Sequence, residues 1–121
     1  LVTRYRLEWP DGSELQRSSG VWIATPAGST AALASAGGPT LPLGSKRFAF
    51  VVREPYAPPG AVVRLRAAVL DERECLAIEC RIWDASIFLD GSHRTYAVPF
   101  GETVRFTLGR TPLRLVRNTA R

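Results

Sequence analysis

The strongest constraint on the fold of this chain is the regular spacing of its turns. From residue 60 onward, short apolar runs, several of them alternating with polar residues, are broken by Asp71-Glu72-Arg73-Glu74, Asp90-Gly91, Pro99-Phe100-Gly101 and Gly109-Arg110-Thr111-Pro112. An apolar residue at every second position is the mark of a strand with one buried face. The runs 61–70, 75–83, 85–89, 95–98, 102–108 and 113–117 are therefore expected strands. The first half adds 1–9, 14–18, 21–25 and 47–53, with Asp11-Gly12 as a hairpin signal between the first two. Strands this short and this evenly punctuated predict a mainly β fold, a sandwich-like pair of antiparallel sheets. On 1–9, Thr3, Tyr5, Leu7 and Trp9 share the inward face; on 47–53, Phe48, Phe50 and Val52 do; on 75–83, Leu76, Ile78, Cys80 and Ile82 do.

The exception is the stretch 20–38, GVWIATPAGSTAALASAGG. A strand enters Pro26-Ala27-Gly28, Ser29 is placed to cap a short helix over about 30–36, and Gly37 is placed to end it.

A length of 121 residues fits a single domain, 1–121, with one core. The longest apolar run, Phe48-Ala49-Phe50-Val51-Val52, is far too short to cross a bilayer, so no membrane partner is expected. The chain opens on Leu1 rather than Met and shows no signal-peptide pattern; it is expected to be part of a longer protein. The formal charge is +5, and all the basic residues but Lys46 are arginines. They are spread along the chain and alternate with apolar residues, as in Val62-Val63-Arg64-Leu65-Arg66, which suits outward faces of strands. Nucleic acid is not the expected partner, since its footprint would be a clustered basic face. Cys75 and Cys80 are five residues apart and point to opposite faces of one strand, a poor geometry for a disulfide. Free thiols suit a reducing compartment, so a cytoplasmic location is expected.

Chemistry-bearing residues are sparse. His93 is the only histidine, and the chain contains no GxSxG, HExxH, CxxC or phosphate-loop motif. No catalytic residue and no metal site are expected in it. One local arrangement has binding logic: Thr25-Pro26-Ala27-Gly28-Ser29-Thr30-Ala31. Gly28 permits a close backbone approach, and Ser29 and Thr30 bring two hydroxyls to free backbone N–H groups at a helix start. Small side chains follow at Ala31 and Ala32. On physical grounds alone, a helix cap and a ligand cradle both fit these residues.

The same residues, with Ser35-Ala36-Gly37-Gly38-Pro39, resemble the TPTGSTAYSLSAGGP signature of NAD kinases. Trp9-Pro10-Asp11-Gly12, Phe88-Leu89-Asp90-Gly91, Phe100-Gly101-Glu102-Thr103-Val104 and the run 113–116 resemble later parts of the same C-terminal β domain more loosely. The resemblance implies phosphoryl transfer from ATP, or in some bacteria polyphosphate, to the 2′-hydroxyl of the adenosine ribose of NAD. It implies NAD as substrate, with the phosphoryl donor and a divalent metal handled by an N-terminal α/β domain that carries a GGDG motif. Nothing in this chain matches GGDG, so these residues alone are not expected to be active. Homodimers or homotetramers are implied. Thr25, Ala27, Gly28, Ser29, Thr30, Ala31 and Ser35 become the expected NAD-binding positions. Three positions depart from the pattern: Ser19 stands where the family has an Asp, Ala24 replaces a Ser, and Ala32 replaces a Tyr. A non-catalytic module derived from the same fold, binding a nucleotide or a partner protein, is the alternative.

Overall fold

The computed structural model describes residues 2–26, 34–35, 37–89 and 94–108, together with the backbone of 114–117. Its elements are ten strands: β1 (Thr3–Trp9), β2 (Gly12–Ser18), β3 (Gly20–Ala24), β4 (Arg47–Arg53), β5 (Ala67–Asp71), β6 (Cys75–Cys80), β7 (Ala85–Leu89), β8 (Arg94–Val98), β9 (Thr103–Thr107) and β10 (Arg114–Arg117). They form a five-stranded sheet in the order β10-β9-β6-β1-β2, a three-stranded sheet β3-β4-β5, and a two-stranded ribbon β7-β8. Every pairing is antiparallel. The mainly β, two-sheet expectation holds, with the ribbon as an addition.

Apolar alternation builds one core from both sheets. Tyr5 and Leu7 of β1, Leu76 and Cys80 of β6, and Val104 and Phe106 of β9 meet Phe48, Phe50 and Val52 of β4 and Leu70 of β5; Leu7, Phe48, Phe50 and Leu76 are completely buried. The inward faces are those expected from the alternation on 1–9, 47–53 and 75–83. β4 is buried on both faces, because Ala49 and Val51 pack outward against Leu41 and Ala24 in a second, smaller cluster. A central strand covered on both sides reads as a continuous apolar run, which is what 48–52 shows.

The first hairpin closes with Pro10 and Asp11 between paired Trp9 and Gly12, so Gly12 opens β2 rather than sitting inside the turn. Residues 61–66 are not strand, although 61–70 was expected to be. At Arg64 and Leu65 the backbone is satisfied by side chains instead: Glu14 accepts from the Arg64 N–H at 2.9 Å and the Leu65 N–H at 3.1 Å, and Gln16 Nε2 donates to the Leu65 carbonyl at 2.7 Å. A carboxylate does here what a neighbouring strand would do, and alternation alone does not distinguish the two. β6 ends at Cys80, short of the expected 83, at a bulge where Gly101 N–H bonds the Cys80 carbonyl (2.7 Å) and Cys80 N–H bonds the Glu102 carbonyl (2.9 Å). Both cysteines are free, Cys80 buried and Cys75 half-buried.

The helix expected over 30–36 lies mostly outside the described residues. Ala34 and Ser35 are described and have helical backbone. Gly37 N–H bonds the Ala34 carbonyl at 3.0 Å, and its φ of 84° is the left-handed geometry that ends helices. Among the described residues no helix is long and apolar enough to cross a membrane.

Candidate functional site

The strand that delivers the Thr-Pro-Ala-Gly-Ser-Thr-Ala turn is β3. Val21 and Ile23 pack into the main core, so the opposite parity, Trp22 and Ala24, faces away from it. Ala24 is opposite Ala49 and belongs to the smaller cluster with Leu41 and Val51. Thr25 is half-buried directly after the strand. Pro26 is buried and already helical, the arrangement in which proline occupies a first helical turn. Beyond the turn, Ser35 is exposed, Gly38 and Pro39 are half-buried, and Leu41 is buried against the end of β3. The chain is thus anchored on both sides of the turn by one patch, Ala24 before it and Leu41 after it. Loops held this way on a rigid sheet are where binding residues concentrate.

Of the seven expected binding positions, Thr25 and Ser35 are described and flank the turn. Ala27, Gly28, Ser29, Thr30 and Ala31 lie outside the described residues, as do Ala32 and His93.

The other end of β3 holds a group that the sequence did not single out. Ser19 N–H donates to the Arg53 carbonyl at 2.8 Å, and the Ser19 hydroxyl donates to Glu54 Oε1. Glu54 has a φ of 49°, which non-glycine residues seldom adopt. A carboxylate thus stands beside Ser19, contributed by the residue that follows β4. Its signal was hidden because Glu54 reads as the first residue of a proline-rich connector. Ser19 and Thr25 are six positions apart, which at strand rise is about 20 Å.

Behind Ser19 lies a hydrogen-bonded polar cluster. Tyr5 donates to Gln16 Oε1 at 2.8 Å and shares a hydrogen bond with Ser18 Oγ at 2.7 Å; Ser18 Oγ also accepts from Gly20 N–H at 3.0 Å. Burial pushes the Tyr5 phenol up to about 12, against the Ser18 hydrogen bond that favours its ionised form. At Glu14 burial acts to raise the pKa, but hydrogen bonds from Arg64 N–H, Gln16 and Leu65 N–H, with the Arg64 charge, outweigh it and hold the carboxyl below the ordinary value. Among the described residues no three His, Cys, Asp or Glu side chains gather to hold a metal ion.

Two antiparallel sheets closed on one core, with edge strand β3 of the smaller sheet running into Thr25-Pro26, define a mainly β fold. The family profile of the ATP-NAD kinase C-terminal domain matches residues 12–118. A probable NADH kinase of Oryza sativa subsp. japonica is 32% identical over 100 residues, covering 83% of this chain and 31% of the relative. An NADH kinase of Arabidopsis thaliana is 35% identical, covering 75% and 28%; an NAD kinase of Azoarcus sp. (strain BH72) is 41% identical, covering 81% and 31%. The chain belongs to the NAD kinase family and corresponds to its C-terminal domain. It spans about a third of the length of these curated relatives.

Proposed function

We propose that residues 1–121 act as one domain, the dinucleotide-binding and oligomerising part of a cytoplasmic NAD or NADH kinase. In that reading the Thr25–Ala31 turn seats the adenosine half of the dinucleotide. Phosphoryl transfer from ATP or polyphosphate to its 2′-hydroxyl takes place against groups outside these residues. Catalysis of that kind depends on positioning and on charge stabilisation, and this domain contributes the positioning of the acceptor.

The observation that carries the reading is the double anchoring of the turn, Ala24 before it and Leu41 after it, within the span matched by the family profile. The Ser19–Glu54 pair adds to it, because a carboxylate stands at the far end of β3 although position 19 has lost one. The two ends of β3 together suit an elongated, two-ended ligand. Exposed β-sheet edges and exposed aromatic rings, among them Trp83 and Phe100 stacked with centroids 5.0 Å apart, support self-association.

Thermal melting of the full-length protein with added NAD and NADH tests the binding half of the proposal. A ligand that binds only the folded state raises the melting temperature in proportion to the logarithm of its concentration, and that rise is expected for at least one of the two. Absence of any shift at millimolar concentration of both would favour the alternative, a non-catalytic module for another nucleotide or a partner protein. Ala32 and Ala24, which depart from the family signature, are the positions that would carry such a change.

A further inference from the structure

We propose that the outer face of the five-stranded sheet is a docking surface for a carboxylate-rich protein surface. The observation is a row of arginines in register on two adjacent strands, β2 and β1, and on the residue that follows the third, β6. Arg17 of β2 is the cross-strand partner of Arg4 of β1. On the other side of Arg4, the Tyr5–Cys80 pairing and the hydrogen bond from Arg81 N–H to the Arg4 carbonyl (3.0 Å) place Arg81 opposite it. Neighbouring strands lie about 4.8 Å apart, and like charges directly opposite destabilise a sheet. A sheet that only needed a solvated outer face would alternate its charges.

Among the described residues two carboxylates, Glu8 of β1 and Glu79 of β6, lie on this face against five arginines, Arg4, Arg6, Arg17, Arg81 and Arg105. Arg6 and Arg81 share one carboxylate, Glu79, at 3.6 Å each, and Arg17 lies over the Tyr56 ring at 5.7 Å from its centroid. Arg4 and Arg105 have no ion-pair partner among the described residues. All these arginines but Arg6 are exposed. Arg6 is paired across the strands with Leu15, itself more than half exposed. Arginine beside an exposed aliphatic residue suits a protein surface better than a bare polyanion. The planar guanidinium also takes a carboxylate in a bidentate fork. A second copy of this chain is a poor occupant, because it carries +5 and would set Arg against Arg.

The test titrates a short synthetic peptide of alternating Glu and Leu into the protein at low and at physiological salt. Inorganic polyphosphate and single-stranded DNA of matched charge form parallel arms. The wild type is expected to bind the peptide more tightly than either polyanion, with affinity falling as salt rises. Arg4→Gln is expected to weaken the peptide by about tenfold, the scale of one charge-assisted hydrogen bond, and to melt no lower than the wild type because it relieves like-charge repulsion. Arg73→Gln, on the turn after β5, is expected to bind like the wild type. Failure of the peptide to bind, unchanged affinity in Arg4→Gln, a lower melting temperature in that variant, or tighter binding of polyphosphate or DNA would each overturn the proposal.

Discussion

At Gly101 a single backbone angle sustains a turn, a bulge and the start of a strand. Its φ of 86° fits the third position of a type II turn closed by Glu102 N–H on the Pro99 carbonyl (3.1 Å), and its own N–H makes the bulge with Cys80. A β-carbon there would meet nothing within 4 Å, so replacement strains the backbone without a clash. Gly101→Ala is expected to cost about 1–2 kcal/mol, read as a lower denaturant midpoint with an unchanged slope. Glu14 makes the second residue-scale prediction. Its folded pKa lies below the ordinary 4.5, so the stability it contributes is complete above that value and is lost as pH falls through the folded pKa. Glu14→Gln is expected to lower the melting temperature at pH 7 and to flatten its fall between pH 4.5 and more acid conditions. Equal acid dependence in variant and wild type would remove Glu14 from the account.

Among the elements, β4 and the loop that covers its outer face hold the end of β3 at Ala24. Leu41→Ala opens the smaller cluster formed with Ala24, Ala49 and Val51. The expected loss is about 2 kcal/mol, at the low end for a buried leucine because small residues line that cluster; chemical denaturation measures it. The bounds 47–53 and 85–89 were legible in the sequence because alternation or an apolar run ends there against turn residues. The entry to the candidate site, a strand running into Thr25-Pro26, was legible for the same reason. Residues 61–66 misled because Glu14, some fifty residues away, takes the part of a paired strand. The order β10-β9-β6-β1-β2 was not legible, since β6 lies between strands remote from it in sequence. Both Glu54 beside Ser19 and the Arg17–Arg4–Arg81 row depend on such register, and no local pattern announces them.

For the whole molecule, the exposed ribbon and ring surface predict self-association of the full-length protein. Light scattering across a concentration series is expected to give more than one subunit, and a monomer at the highest concentration would contradict that. The central claim is that the Thr25–Ala31 turn, anchored by Ala24 and Leu41, holds a dinucleotide. Calorimetric titration of NAD or NADH into full-length wild type and Thr30→Ala tests it most directly, with Thr95→Ala on the ribbon as a control. Loss of one hydroxyl contact, worth about 1 kcal/mol, predicts binding weakened by about fivefold in Thr30→Ala and unchanged in Thr95→Ala. Equal affinity in wild type and Thr30→Ala would contradict the account.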